Sequence, residues 1–341
     1  MTREISEKIK VLGFLMTCAV VFYHCPPVDE SYIRGSLDAA SYALTSHIWG
    51  MLGTFAMSHF FLVTGYLLFQ NFSLANYPEK IRRRVSSLLV PYVLWQCATV
   101  ALKLILNGEA VPIGDFLRKT FLFIPFPYNG ALWYVYAVFF LALLSPVLLP
   151  LFRRPGTGWA CVLILTVLAE AREQISNPVF SAVVHYGYFG NILTYLPAYL
   201  TGCFYGKFGK ELEGKQPLKY ILSALFLAML LDGAIPGIFS GLTVKLMPMM
   251  VLYLLPAVPG LAQKPVLKLS FLVYALHQPL IGILGAIARR VYPLVPLGAT
   301  VWSLLTLGTV LITAICLAAV IHRVLKRLCP PLLRGLTGGR F

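Results

Sequence analysis

Long apolar runs, separated by short polar, basic or proline-containing segments, organise the chain. The runs occupy about residues 11–27, 43–70, 86–107, 130–152, 157–170, 185–206, 218–235, 245–262, 268–289 and 299–322. A helix rising 1.5 Å per residue needs roughly 20 apolar residues to cross a bilayer core, so the pattern predicts about ten transmembrane helices. The run at 157–170 is short and must borrow flanking residues, while 245–262, with Pro248, Pro256 and Pro259, reads as a broken or re-entrant segment. The connections leave no room for a second soluble domain. Residues 1–341 therefore read as a single all-α, polytopic membrane domain forming one helical bundle.

Composition agrees with this pattern. Of 341 residues, 58% are hydrophobic and 12% charged, about half the charge with which soluble domains cover their surface. The net charge of +15 would suggest a nucleic-acid partner in a soluble protein, but here topology accounts for it. With the N-terminus inside, 20 of the 28 Lys and Arg fall on segments 1–10, 71–85, 153–156, 207–217 with Lys219, 263–268 and the basic tail at about 323–341. Seven fall on the alternate segments. Basic residues near span ends are retained in the cytoplasm, so both termini are expected there and nucleic acid is not expected as a partner. Lys8 and Lys10 precede an apolar run, yet Phe22, Tyr23, His24 and Cys25 offer no small-residue cleavage site, so the run reads as an uncleaved first span. The seven cysteines show no metal or redox spacing and read as buried free thiols. The longest external segments, 26–42 and 108–129, are candidate lids or plain surface loops.

Ionisable side chains within a span are costly and mark candidate chemistry. No Asp or Glu lies well inside a run; the six histidines do most of the intramembrane ionisable work, with His24, His47, His59 and His277 in or at the end of spans and His185 and His322 at span ends. His24 ends the outward-running first span, where a neutral imidazole suits a general base, or simply bonds a neighbouring carbonyl. His277 lies about nine residues into its span, roughly 13 Å deep, as a catalytic group or the partner of a polar group on another helix. His59, in the middle of the second span, has no orienting neighbour in sequence. Arg82, Arg83 and Arg84 with Lys80 form the densest basic cluster. Their forks suit the phosphates of coenzyme A, but such a cluster also sets orientation and binds anionic lipid. Tyr92, Trp95, Trp133, Tyr134 and Tyr136 read as interfacial belt residues. Phosphate-loop, dinucleotide, zinc-protease and nucleophile-elbow motifs are all missing from the sequence, and no metal is expected.

Six strings, in order from one end of the chain to the other, resemble the acyltransferase-3 family of bacterial integral-membrane O-acyltransferases: VLGFLMTCAVVFYH at 11–24, HFFLVTGYLL at 59–68, KIRRRVSSLLVPY at 80–92, ALWYVYAVFF at 131–140, YLPAYLTGCFYG at 195–206 and LSFLVYALHQPL at 269–280. The resemblance implies transfer of an acyl group, commonly acetyl from cytoplasmic acyl-CoA, to a hydroxyl of an extracytoplasmic glycan or lipid-linked sugar, in the cytoplasmic membrane. His24 matches the family histidine at the end of span one, the implied catalytic residue. Arg82, Arg83 and Arg84, Trp133, Tyr274 and His277 match other motif positions; the arginines become candidates for holding the donor, and Trp133, Tyr274 and His277, with His59, candidates for lining the substrate cavity. Three positions depart from the pattern: Gly13 stands where the family usually carries Arg, Lys10 where it usually carries an acid, and Ser58 or His59, depending on alignment, where an acid often precedes the paired phenylalanines of span two. Lys8, Lys10 or the arginine cluster would then have to supply the missing charge. Two other readings stay open: a transporter or flippase of a sugar, glycan or small polar solute, and an inactive relative serving a glycan-assembly complex.

Overall fold

The first helix, α1 (Arg3–His24), starts on a charged turn in which Arg3 pairs with Glu7 at 2.9 Å and Lys8 with Glu4 at 2.7 Å, and becomes apolar beyond it. This computed structural model describes residues 2–25, 30–122, 126–171, 189–212, 248–249, 251–252 and 256–340, and all regular structure among them is helical. The long α2 (Gly35–Phe69) follows a 3-10 turn at Glu30–Tyr32, so the segment read as an external loop over 26–42 is helical from Gly35 onward. Next come α3 (Tyr77–Arg84) and α4 (Val90–Asn107), joined without interruption by a π-helical turn at Val85–Leu89. Pro91 accounts for the wide turn: it offers no N–H and its ring crowds the carbonyl a turn earlier, so the chain loosens, with the Val90 N–H on the Val85 carbonyl. Gly108, at φ 69°, ends α4 with its N–H on the Leu104 carbonyl.

The segment 108–129, read from sequence as an external loop, contains α5 (Ile113–Phe121). The run predicted as one span over 130–152 is two helices, α6 (Trp133–Leu143) and α7 (Ser145–Leu148, continued as a 3-10 turn through Phe152), bent by 58°. Pro146 cannot donate to the Ala142 carbonyl, and the Ser145 hydroxyl does so instead at 2.7 Å. Then follow α8 (Pro155–Ala171), α9 (Phe189–Leu212), α10 (Ser270–Val291), α11 (Ala299–Leu328) and α12 (Pro330–Thr337). Among the described residues, four helical segments are long and apolar enough to cross a membrane: Gly35–Phe69, Tyr77–Asn107, Pro265–Leu294 and Ala299–Leu328. The bent pair Gly130–Phe152 makes up to five. The predicted span at 218–235, most of 245–262, and His185 lie outside the described residues.

One compact unit comprises Met1–Ile9 and Met57–Val258. Its core is a close approach of α2 and α9. A Cβ added at Gly202 would lie 2.0 Å from the Leu62 carbonyl oxygen, at Gly65 2.2 Å from that of Tyr199, and at Gly206 2.5 Å from that of Tyr66. Each clash is with backbone, which has no rotamer to give. Small residues let membrane helices gain dispersion energy where no hydrophobic force separates lipid from protein. Gly202→Leu is therefore expected to cost about 1–3 kcal/mol or more, read as a lower thermal midpoint in detergent; an unchanged midpoint would show that the helices do not meet there.

The other unit comprises Lys10–Ala56 and Pro259–Phe341. In it α1 and α10 run parallel: Thr17 Oγ1 meets Ser270 Oγ at 2.7 Å, and seven residues further along both helices the His24 and His277 rings lie 5.2 Å apart. Asp38, read from sequence only as a loop acid, caps α11: its carboxylate accepts the N–H groups of Ala299 and Thr300 at 2.9 and 3.1 Å, as well as that of Arg34 at 2.8 Å. Tyr292, Trp302 and Ala299 pack beside this cap. The cysteines follow lipid exposure rather than uniform burial: Cys25 and Cys203 are buried, whereas Cys97 and Cys316 are exposed on helix surfaces.

Candidate functional site

The polar seam of α1 and α10 gathers three of the residues singled out from the sequence, His24, Tyr274 and His277. His24 Nδ1 lies 3.0 Å from the Val20 carbonyl oxygen. A carbonyl only accepts, so Nδ1 carries the proton and the neutral ring keeps its lone pair at Nε2. The bond to a neighbouring carbonyl, one of the two readings open for His24, thus selects the tautomer that the other reading needs. Tyr23 stands edge-on to His24 at 5.1 Å between ring centroids. Its ring occupies the space left by Gly53 on α2, which a Cβ would invade at 2.4 Å.

His277 repeats the arrangement. Its Nδ1 donates to the Tyr274 carbonyl at 2.5 Å, and its buried Nε2 has no hydrogen-bond partner among the described residues. The Tyr274 ring lies 5.7 Å from that of His277. Two turns nearer the start of α1, the Thr17 and Ser270 hydroxyls, 2.7 Å apart, both reach the Gly13 carbonyl oxygen, at 2.9 and 3.4 Å. The space beside Gly13 is open, with no atom within 4 Å of an added Cβ. Lys8 and Lys10 were the lysines expected to compensate there. Lys8 is buried against Glu4, and Lys10 lies about 21 Å from His24 along the helix axis.

The basic cluster belongs to the other unit, where its members have different surroundings. Lys80 donates to the carbonyls of Leu68 and Gln70 at 2.6 and 2.7 Å, capping the end of α2. Arg83 is exposed and pairs with Glu79 one turn away. Arg82 is exposed as well. Arg84 alone turns inward: it is partly buried, its electrostatic neighbours are the phenols of Tyr134 and Tyr199, and no carboxylate among the described residues pairs with it. A partly buried guanidinium with no described carboxylate beside it has the charge and the donors that suit an anion.

Trp133 packs with Phe61 and Tyr195 at centroid distances of 5.9 and 6.2 Å. Tyr134, beside it, donates to the Phe60 carbonyl at 2.9 Å and meets the Thr64 hydroxyl at 2.8 Å. The belt reading of these aromatics is corrected: Tyr92, Trp95 and Trp133 are buried, and Tyr92 donates to the Thr120 carbonyl at 2.7 Å. Buried phenols and indoles settle where their polar atom finds a partner, which for these is protein. His59 is wholly buried, its Nδ1 without a partner and its ring against Phe60. Thr17, Ser270 and Thr64 went unremarked in the sequence, and Tyr134 was read there only as a belt residue. The first two carry a readable signal, since Thr17 to His24 and Ser270 to His277 are both seven residues apart in otherwise apolar helices and so share a face.

Neither a curated protein nor a solved structure matches the chain. The model of a family described as an acyltransferase domain matches it over residues 8–321, a span containing both the histidine seam and the arginine cluster. The chain therefore belongs to the acyltransferase-3 family and is a membrane acyltransferase in its general class.

Proposed function

We propose that the protein moves an acyl group, acetyl in the first instance, from cytoplasmic acyl-CoA to a hydroxyl of a glycan or lipid-linked sugar outside a bacterial cytoplasmic membrane. The observation that carries this reading is the tautomer of His24: with Nδ1–H held by the Val20 carbonyl, Nε2 presents a lone pair at the end of α1. In the proposed reaction His24 Nε2 takes the proton of the acceptor hydroxyl as its oxygen attacks the thioester carbonyl. The carbon–sulfur bond breaks, and the proton passes to the departing thiolate. Arg84 holds a phosphate of the donor, its charge uncompensated by any described carboxylate. Trp133 and Tyr274 are proposed to line the way to the reacting groups.

The topology proposed with it has ten spans and both termini in the cytoplasm. The 20 to 7 division of basic residues supports it. So does the parallel course of α1 and α10, because the first and ninth spans of such a chain cross in the same sense.

The test is membranes containing the protein supplied with acetyl-labelled acetyl-CoA. Expected are release of free thiol and appearance of label in surface glycan or lipid-linked sugar, both lost without the protein. Mass spectrometry of the glycans identifies the acceptor. Membranes that neither bind nor consume any acyl-CoA would sink the reading in favour of a translocator.

A further inference from the structure

Two imidazoles face one another across the α1 and α10 seam, and both are held in the same tautomer. Each Nδ1 donates to a backbone carbonyl, Val20 for His24 and Tyr274 for His277, so each neutral ring offers a lone pair at Nε2 and no second N–H. Two acceptors cannot bond each other, and no hydrogen bond joins the rings; His277 Nε2 is buried with nothing among the described residues donating to it. A buried acceptor left in this state is costly in a membrane protein, because lipid supplies no donor. A single added proton changes the balance. A ring nitrogen lies roughly 1 Å from its ring centroid and an N–H···N bond spans about 3 Å, so imidazoles sharing one proton edge to edge have centroids about 5 Å apart. The observed separation is 5.2 Å, with the planes tilted by 53°.

We propose that His24 and His277 act as a pair that holds one proton between their Nε2 atoms, with His277 as the positioning residue that steadies the imidazolium formed on His24. In the resting state the pair carries no proton at either Nε2. When His24 Nε2 takes the proton of the attacking hydroxyl, the new N–H donates to His277 Nε2, which gains the partner it lacks. Once the carbon–sulfur bond breaks, the same proton leaves for the thiolate and the two lone pairs are restored. No proton is gained or lost over the cycle. The other titratable groups whose rings touch the pair are Tyr23 on α1 and Tyr274 on α10. The source and destination of the proton rest on the acyl-transfer reading; the pairing itself does not.

Two substitutions separate pairing from a purely structural role. His277→Asn keeps a donor near the position of Nδ1, and with it the bond to the Tyr274 carbonyl, but has nothing at the position of Nε2. His277→Gln places an acceptor oxygen near Nε2 instead. With acetyl-CoA as donor, the pair predicts that His277→Asn loses about 10²-fold in kcat with KM for acetyl-CoA unchanged, and that His277→Gln retains more activity than Asn. A structural role predicts the reverse order, and that order overturns the proposal.

A second measurement needs no turnover. In full-length protein labelled with ¹⁵N-histidine and reconstituted in lipid nanodiscs, the His24 and His277 rings should both give the Nδ1–H tautomer at high pH. On acidification they should take up one proton with a common midpoint, and His277→Asn should lower the His24 midpoint by a unit or more, a tenfold change in proton affinity. Rings that titrate independently, or a His24 midpoint indifferent to His277→Asn, would overturn the pairing. Shared uptake in a protein that consumes no acyl-CoA would leave the pair standing and remove the acyl-transfer reading alone.

Discussion

Acyl transfer is expected to fall by about 10²–10⁴-fold when His24 is replaced by Ala, the range by which a positioned general base accelerates a reaction. The folded state should survive. The ring is partly exposed, and its one hydrogen bond is to the Val20 carbonyl of its own helix, a local contact whose net worth is about 1 kcal/mol. Initial rates with acetyl-CoA, beside the thermal midpoint of the same preparation, check both halves. A well-folded His24→Ala protein working at the parental rate would remove His24 as the base. Loss of activity together with loss of the fold would be uninformative, so His24→Gln, which keeps a polar group at the ring position, belongs in the same series. Its rate should stay close to that of Ala, since an amide accepts a hydrogen bond but takes no proton.

Arg84→Gln should raise KM for acyl-CoA by roughly 10–100-fold with little change in kcat. A hydrogen bond to a charged group contributes about 1.5–3 kcal/mol, and each 1.4 kcal/mol is a tenfold change in affinity. Uniform loss of ground-state and transition-state binding appears in KM alone. Arg83→Gln is the control from the same helix: Arg83 is exposed and already paired with Glu79, so its KM should stay within about twofold, as expected for a surface ion pair. Unchanged KM in Arg84→Gln, or an equal rise in both variants, would return the cluster to its topological role. Lys80 is unsuited to this comparison, because it closes the end of α2 and its loss would act on the fold.

The neighbouring arginines show what a sequence can and cannot resolve. Three consecutive basic side chains are chemically alike on paper, and helical spacing turns successive residues by about 100°, so they must face different directions. Which of them faces inward depends on what α3 packs against, and those phenols come from positions 134 and 199. The same limit hid Asp38. Its acidity is local information, but the amides it caps begin a helix some 260 residues later. Pro91 and Pro146 stand inside runs that read as continuous spans. That one yields a π-helical turn and the other a 58° bend follows from the neighbours that take over the freed carbonyls.

Apolar periodicity, charge asymmetry and ordered motifs were enough to establish an all-helical membrane protein of this family, because the bilayer permits so few ways to satisfy a backbone. They also nominated His24 and His277, since ionisable groups are scarce in such runs, and Arg84 as one member of the Arg82–Arg84 cluster. Tertiary structure decided the rest. It set the tautomers through the Val20 and Tyr274 carbonyls, brought two histidines 253 positions apart in sequence to a 5.2 Å ring separation, and turned one arginine of three inward. A proton's position and a charge's compensation are properties of contacts between helices, and contacts between helices are what a linear pattern of polar and apolar residues does not encode.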